Sequence, residues 1–215
     1  MNILNSAQGK AVLVFLVVSG ILSPGCARFH KSFPDIKTYS LDAGPGKHAA
    51  FSGPPISVRL NTMEVAPQFA DRYLTYRTDE MSYESDFYNQ LMASPAVIIR
   101  DQAREWLQAS PVIEYILPAG SSVESYYLID GRVLEFYGDY RRPDEPKAVL
   151  KIEWTLSKSA TEGREVVFQK VYPETFSISG TSPRLLLQGW DQTLIKILSA
   201  FEGDLRMLAE HLQSK

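Results

Sequence analysis

Apolar and polar residues alternate most clearly over residues 148–156. There Ala148, Leu150, Ile152, Trp154 and Leu156 interleave with Val149, Lys151, Glu153, Thr155 and Ser157. A period of two places one set on each side of a pleated ribbon, so this stretch predicts a strand. Residues 159–163 are polar and residues 164–171 return to a β-prone composition, which predicts an antiparallel hairpin. Ile56, Val58 and Leu60 alternate with Ser57, Arg59 and Asn61 in the same way. Residues 73–78 and 81–84 are β-prone around a turn at Thr78-Asp79-Glu80, and residues 112–117 form a short apolar strand candidate. Residues 124–137 are β-rich throughout, and Asp130-Gly131 in their middle is either a hairpin turn or a bulge in one long strand.

Two stretches change period. Ser94-Pro95 and Ser182-Pro183 both pair a capping hydroxyl with a proline whose missing N–H is harmless at a helix start. After the first, Ala96, Ile99, Ala103, Trp106 and Leu107 share one helical face, and Ser110-Pro111 closes the helix. After the second, Leu187, Trp190, Leu194, Ile197, Phe201, Leu205, Leu208 and Leu212 recur at spacings of three and four. That predicts one long amphipathic helix, with Gly203 a place where it could bend. Strands, a helix, several mostly antiparallel strands and a long helix predict an α+β domain: a mixed sheet with two main helices on one face.

The N-terminus follows another logic. Residues 1–10 lack acidic side chains and end in Lys10, and residues 11–22 are a 12-residue apolar run. A spanning helix needs about 20 such residues, whereas the core of an export signal needs about 7–15. The run ends in Leu22-Ser23-Pro24-Gly25-Cys26, which resembles a bacterial lipobox. The resemblance implies a signal over residues 1–25 and acyl chains on Cys26, and Ala27 rather than Asp in the next position implies the outer membrane. Residues 26–54, rich in Gly and Pro, are expected as lipidated start and tether, interrupted by a β-like piece at residues 37–41. The periplasmic domain is expected over residues 55–215.

Net charge is −3, and without Lys10, the one charged side chain before Cys26, 21 basic face 25 acidic residues. Nucleic acid is therefore not an expected partner, because phosphate binding needs a basic footprint. Cys26 is the chain's one cysteine, so no internal disulfide can form. His30, His48 and His211 have no second His or Cys at ligand spacing, and no Gly-x-Ser-x-Gly elbow occurs. Gly44-Pro45-Gly46-Lys47 lacks the spacing and the Ser or Thr of a phosphate loop and reads as a turn. The expectation is a non-enzymatic protein with no cofactor or metal, whose one attached group is the lipid on Cys26. Aromatic crowding is the remaining signal. Tyr73, Tyr76, Tyr83 and Tyr88 precede the first helix, and Tyr126 and Tyr137 lie in the long β-rich stretch. These are the candidate partner surface, since tyrosine supplies large amphipathic contact area; the alternative is that most line the core and rim of the sheet.

Tyr39-Ser40-Leu41, the segment from Tyr76-Arg77 through Tyr83 to Ser94-Pro95-Ala96 and on to Leu107, then Tyr127-Leu128-Ile129, a strand pair and a terminal amphipathic helix follow in order. Together they resemble the ABC-type transport auxiliary lipoprotein family, which includes the Pqi-type lipoprotein of mammalian-cell-entry (MCE) lipid-transport systems. The resemblance implies an accessory lipoprotein at the periplasmic face of the outer membrane. Its partners would be an MCE-domain protein and, behind it, an ABC permease and ATPase that move lipid between membranes. The alternative is another periplasmic assembly lipoprotein, of the lipopolysaccharide-assembly, secretion-pilot or cell-wall-synthase-activator type, which shares signal, anchor and a small α+β domain.

Overall fold

The computed structural model describes residues 35–118, 126–161 and 163–212. The export signal, Cys26 and the tether up to residue 34 lie outside the described residues. In chain order the elements are β1 (Lys37–Tyr39), β2 (Ile56–Val65), a 3-10 turn (Pro67–Phe69), β3 (Tyr73–Arg77), β4 (Tyr83–Leu91), α1 (Pro95–Ala109), β5 (Ile113–Leu117), β6 (Tyr127–Asp139), β7 (Lys147–Ala160), β8 (Gly163–Ser177) and α2 (Pro183–Leu212).

The sheet is built around β6. One of its edges carries β7 and then β8, both antiparallel, in the longest ladders of the molecule. Its other edge is shared. β2 runs parallel to the first half of β6, leaves it after Val65 through the 3-10 turn, and the chain returns as β3 beside residues 138 and 139. β2 carries β5 in parallel, and β3 carries β4 and then β1. The result is the expected mixed α+β sheet with two helices. Parallel pairings of β2 with β5 and β6, which need long connections rather than tight turns, left no local mark in the sequence.

Asp130-Gly131 is not a turn. β6 runs straight through it, and the irregularity lies in β2, where Asn61 and Thr62 oppose Asp130 alone. The Asp130 carboxylate holds that bulge by accepting from Asn61 Nδ2 (2.8 Å) and Thr62 Oγ1 (3.0 Å). Gly131 is required by close packing: a Cβ there would stand 2.6 Å from the Trp154 ring and from the Met63 methyl. Trp154 in turn stacks on Phe201 of α2 at 4.9 Å, so this face of the sheet is sealed by the helix.

Both helices follow the predicted stripes. In α1, Ile98 joins Ile99, Ala103, Trp106 and Leu107 in the core, and Ser94 stands at the N-cap without a side-chain hydrogen bond. In α2, Leu187, Trp190, Leu194, Ile197, Phe201 and Leu205 are buried; thirty residues make it about 45 Å long. The helix continues through Gly203.

Residues 35–54, expected as tether, belong to the domain. β1 joins the sheet, and the chain then crosses both helices as a strap. Leu41 and Ala43 are buried. Asp42 N–H donates to Asp191 of α2 (2.8 Å) and Ala43 N–H to Gln102 of α1 (2.7 Å). Gly46, at φ +76°, presses against the Trp106 ring where a Cβ would be 2.7 Å away, so neither its backbone nor its surroundings admit a side chain. Arg206 of α2 donates to the carbonyls of Ala49 and Ala50.

The strap is fastened by Glu202, 5% exposed on the inner face of α2. Its carboxylate accepts from Trp106 Nε1 (2.9 Å), Ser110 Oγ (2.9 Å), His48 Nδ1 (2.7 Å) and Arg206 (3.2 Å). A charge this deep is tolerable because it is paired and every neighbour donates to it. His48, expected on a tether, is thus a fastening of the fold.

Candidate docking surface

Register sorts the candidate tyrosines onto two faces. Gly131 and Gly138 of β6 lie against Trp154 and Leu186 on the helix side. Tyr137, next to Gly138, therefore faces away from the helices. There it stacks with Phe69 (5.8 Å) and meets Tyr83 edge-on (5.5 Å), with the Arg77 guanidinium 5.5 Å above the Tyr83 ring. Tyr137 is 5% exposed and Tyr83 45%, so this cluster offers one edge to solvent rather than a row of rings. Burial pushes the Tyr137 phenol above its ordinary range, partly opposed by Arg77.

Tyr76, opposite Gly138 in the parallel pairing, faces the helix side. It stacks on Tyr140 at 5.0 Å and donates to Asp86 Oδ2 (2.8 Å). Burial first, then the Asp86 carboxylate, raises its phenol far above the ordinary value, and burial pushes Tyr140 up to about 12. These two rings are structural rather than available.

Asp86 organises a different feature. Between the pairs Leu74–Asp86 and Tyr73–Gln90, β4 carries three residues that β3 does not match, Phe87, Tyr88 and Asn89. Asp86 Oδ1 accepts the N–H groups of Tyr88 (3.0 Å) and Asn89 (3.1 Å), and Oδ2 accepts Asn89 Nδ2 (2.8 Å). Gln90 Nε2 closes the loop on the Phe87 carbonyl at 2.9 Å. Burial works to raise the Asp86 carboxyl, but the hydrogen bonds from Tyr76, Asn89 and the backbone outweigh it and hold it below the usual carboxylate range. The bulge thus presents Phe87 and Tyr88, 62% and 48% exposed, on a fixed backbone, with Phe87 braced edge-on against Tyr73 at 4.9 Å.

The fold has relatives. A crystal structure of a Xanthomonas campestris protein described as DUF330 superposes with a TM-score of 0.73 at 13% identity, over 83% of this chain and 100% of that one. A second crystal structure, of an uncharacterized protein, superposes at 0.62 with 12% identity, over 80% of this chain and 99% of that one. At such identities the likeness is one of fold alone. A crystal structure of a Caulobacter crescentus protein overlaps 53% of this chain and 82% of its own at 15% identity and a TM-score of 0.39, too loosely to bear on the fold. No family model matches the sequence, and no curated protein matches it.

The six sequence candidates therefore do not form one surface. Tyr83 and Tyr137 share the open face, Tyr73 and Tyr88 belong to the bulge, Tyr76 is packed under the helix side, and Tyr126 stands apart, edge-on to Tyr127 at the start of β6. Sequence reasoning missed Asp86 and Glu202. An Asp followed by backbone donors two and three residues on is an Asx-turn signal. Glu202 falls at helical spacing with the buried Leu198, Leu205 and Ala209, a polar residue on an apolar stripe.

Among the concavities of the described residues are two lined by charged side chains. One, about 230 Å³, is lined by Glu80, Asp139, Arg141, Arg142, Glu145 and Lys147. Arg141 bridges Asp139 and Glu80 there at 2.8 Å each, and its hydrogen bonds keep Asp139 below the usual carboxylate range despite partial burial. The other, about 560 Å³, lies between β1 and the start of α2 and is lined in part by Lys37, Tyr39, Arg184, Leu187 and Asp191. Burial pushes the Asp191 carboxyl up to about 6. Among the described residues no three His, Cys, Asp or Glu converge as a metal site, and no helix is long and apolar enough to cross a membrane.

Proposed function

We propose that this chain is a non-enzymatic accessory lipoprotein of an MCE-type ABC transporter, anchored through Cys26 at the periplasmic face of the outer membrane. The observation that carries the reading is the sequence Ser23-Pro24-Gly25-Cys26, set after a short apolar run and only nine residues before the folded domain begins at Asp35. That order suits a chain that is exported, acylated and held close to a membrane. The transporter assignment rests on the sequence resemblance. The rigid sheet supports a docking role, because it presents aromatic groups at fixed positions at little entropic cost on association. On this reading the MCE-domain protein is the partner, and the subunit contributes position rather than chemistry.

The test is capture of the full-length, detergent-extracted protein from its native host, followed by mass spectrometry of what accompanies it. The expected result is an MCE protein with its permease or ATPase. Recovery of an outer-membrane barrel or a cell-wall synthase without any MCE component would move the function to another assembly. The anchor is tested separately: Cys26→Ser should abolish palmitate labelling and membrane retention, and undiminished labelling would refute acylation at this residue.

A further inference from the structure

Exposed apolar side chains are scattered over most of the domain. Tyr115, Tyr126, Val166 and Met207 lie on four different elements or their ends. At one place they gather. β1 runs parallel to β4 with Lys37 opposite Asn89, and Ile36 and Tyr88 are the residues that precede this first pair in their two chain segments. Ile36 is 60% exposed, and Phe87 shares the bulge with Tyr88. Farther along the same strand pair Met92, also exposed, donates its N–H to the Tyr39 carbonyl. This patch surrounds the point at which the chain enters the domain.

Cys26 precedes Asp35 by nine residues. Fully extended, that length of chain spans at most about 32 Å. Acyl chains on Cys26 would therefore keep this edge of the domain within about 30 Å of the bilayer, whatever path the intervening chain takes. Confinement of that kind raises the local concentration of the lipid surface as a linker does for a second binding site. Aromatic rings favour the headgroup level, where an apolar body meets a wet rim. The bulge supplies them on a backbone already held by Asp86, so insertion need not order that backbone.

We propose that Ile36, Phe87 and Tyr88 rest in the headgroup region of the membrane that holds the acylated Cys26, turning the β1–β4 edge toward the lipid; this rests on the lipoprotein reading. Because an acylated Cys26 carries no free thiol, a single introduced cysteine can be labelled uniquely in the full-length protein. Ile36→Cys, Tyr88→Cys, Tyr115→Cys and Met207→Cys variants, each carrying an environment-sensitive fluorophore, are reconstituted in phosphatidylethanolamine–phosphatidylglycerol vesicles with brominated acyl chains. The labels at positions 36 and 88 should lose about half or more of their emission to the bromines, while those at 115 and 207 keep theirs. Equal quenching at all four positions, or none at 36 and 88, overturns the proposal. Mass spectrometry of the N-terminal peptide reads acylation independently. A missing acyl mass fails the anchor reading and the patch with it, whereas an acylated protein with unquenched labels at 36 and 88 fails the patch alone.

Discussion

Two carboxylates do the same job at two depths. Glu202 and Asp86 each accept four hydrogen bonds from side chains or backbone groups. Around Glu202 the donors come from α1, the residue that ends it, the strap and α2, so one buried charge ties parts of the chain 154 residues apart. Around Asp86 they come from its own strand and from the neighbouring Tyr76, and the product is a local shape at the surface. The contrast separates what holds this molecule together from what it displays. Loss of the first should unfold, and loss of the second should only blur.

The sharpest way to break the comparison is Glu202→Ala. It strands the Trp106 N–H and the Ser110 hydroxyl and takes one partner each from His48 and Arg206, and should cost about 3–5 kcal/mol, read as a lowered midpoint in urea unfolding. A cost no greater than that of a surface charge would show that the strap is not fastened there. Asp86→Ala should cost less, about 1–2 kcal/mol, with faster amide exchange confined to Tyr88 and Asn89. Exchange spreading through β3 and β6 would make Asp86 a global support after all. Asp86 also carries a pH signature. Its folded carboxyl lies below its unfolded value, so its contribution is present at neutral pH and fades as pH falls below about 4. Asp86→Asn should remove that acid-side dependence of exchange at the bulge.

The smallest expected effect has the opposite sign. Asp191 is raised to about 6 by burial, so the folded state takes up its proton more readily than the unfolded one. Its contribution is fully present below about pH 4 and is lost as pH rises through about 6. At neutral pH the ionised group is a burden. Asp191→Asn can still accept the Asp42 N–H, and should stabilise the domain by about 1 kcal/mol at pH 8 after allowance for solvent screening. Thermal unfolding at pH 5 and pH 8 checks it: the variant's gap between the two should narrow, and an unchanged gap would mean that Asp191 is adequately solvated.

How much was legible follows from what each element needs. α1, α2, β2 and the β7–β8 hairpin bury one face each, and burial of one face is what periodicity records. β4 was seen only in part because Tyr83, Glu84, Ser85, Phe87 and Tyr88 are all exposed, leaving no buried face to alternate. The strap reads as tether in the sequence because it packs by single contacts, Gly46 on Trp106 and His48 on Glu202, with no repeat for a pattern to show. Tyr76 was a candidate for contact because composition counts rings but not directions. Its place under the helix side depends on the parallel pairing of β3 with β6, a partner 62 residues along the chain.

The strap also settles how the domain would bear tension. A pull applied to the chain before Asp35 meets the three-residue ladder of β1 first, a weak link. Behind it the fastenings come in series: Asp42 on Asp191, Ala43 on Gln102, His48 on Glu202, and the carbonyls of Ala49 and Ala50 on Arg206. Each must yield before the next is loaded, so β1 can peel away while the sheet and both helices stay intact. Under load the first strand gives before the strap, whose Leu41 and Ala43 are seated in the core, so β1 acts as a shock absorber for what lies behind it.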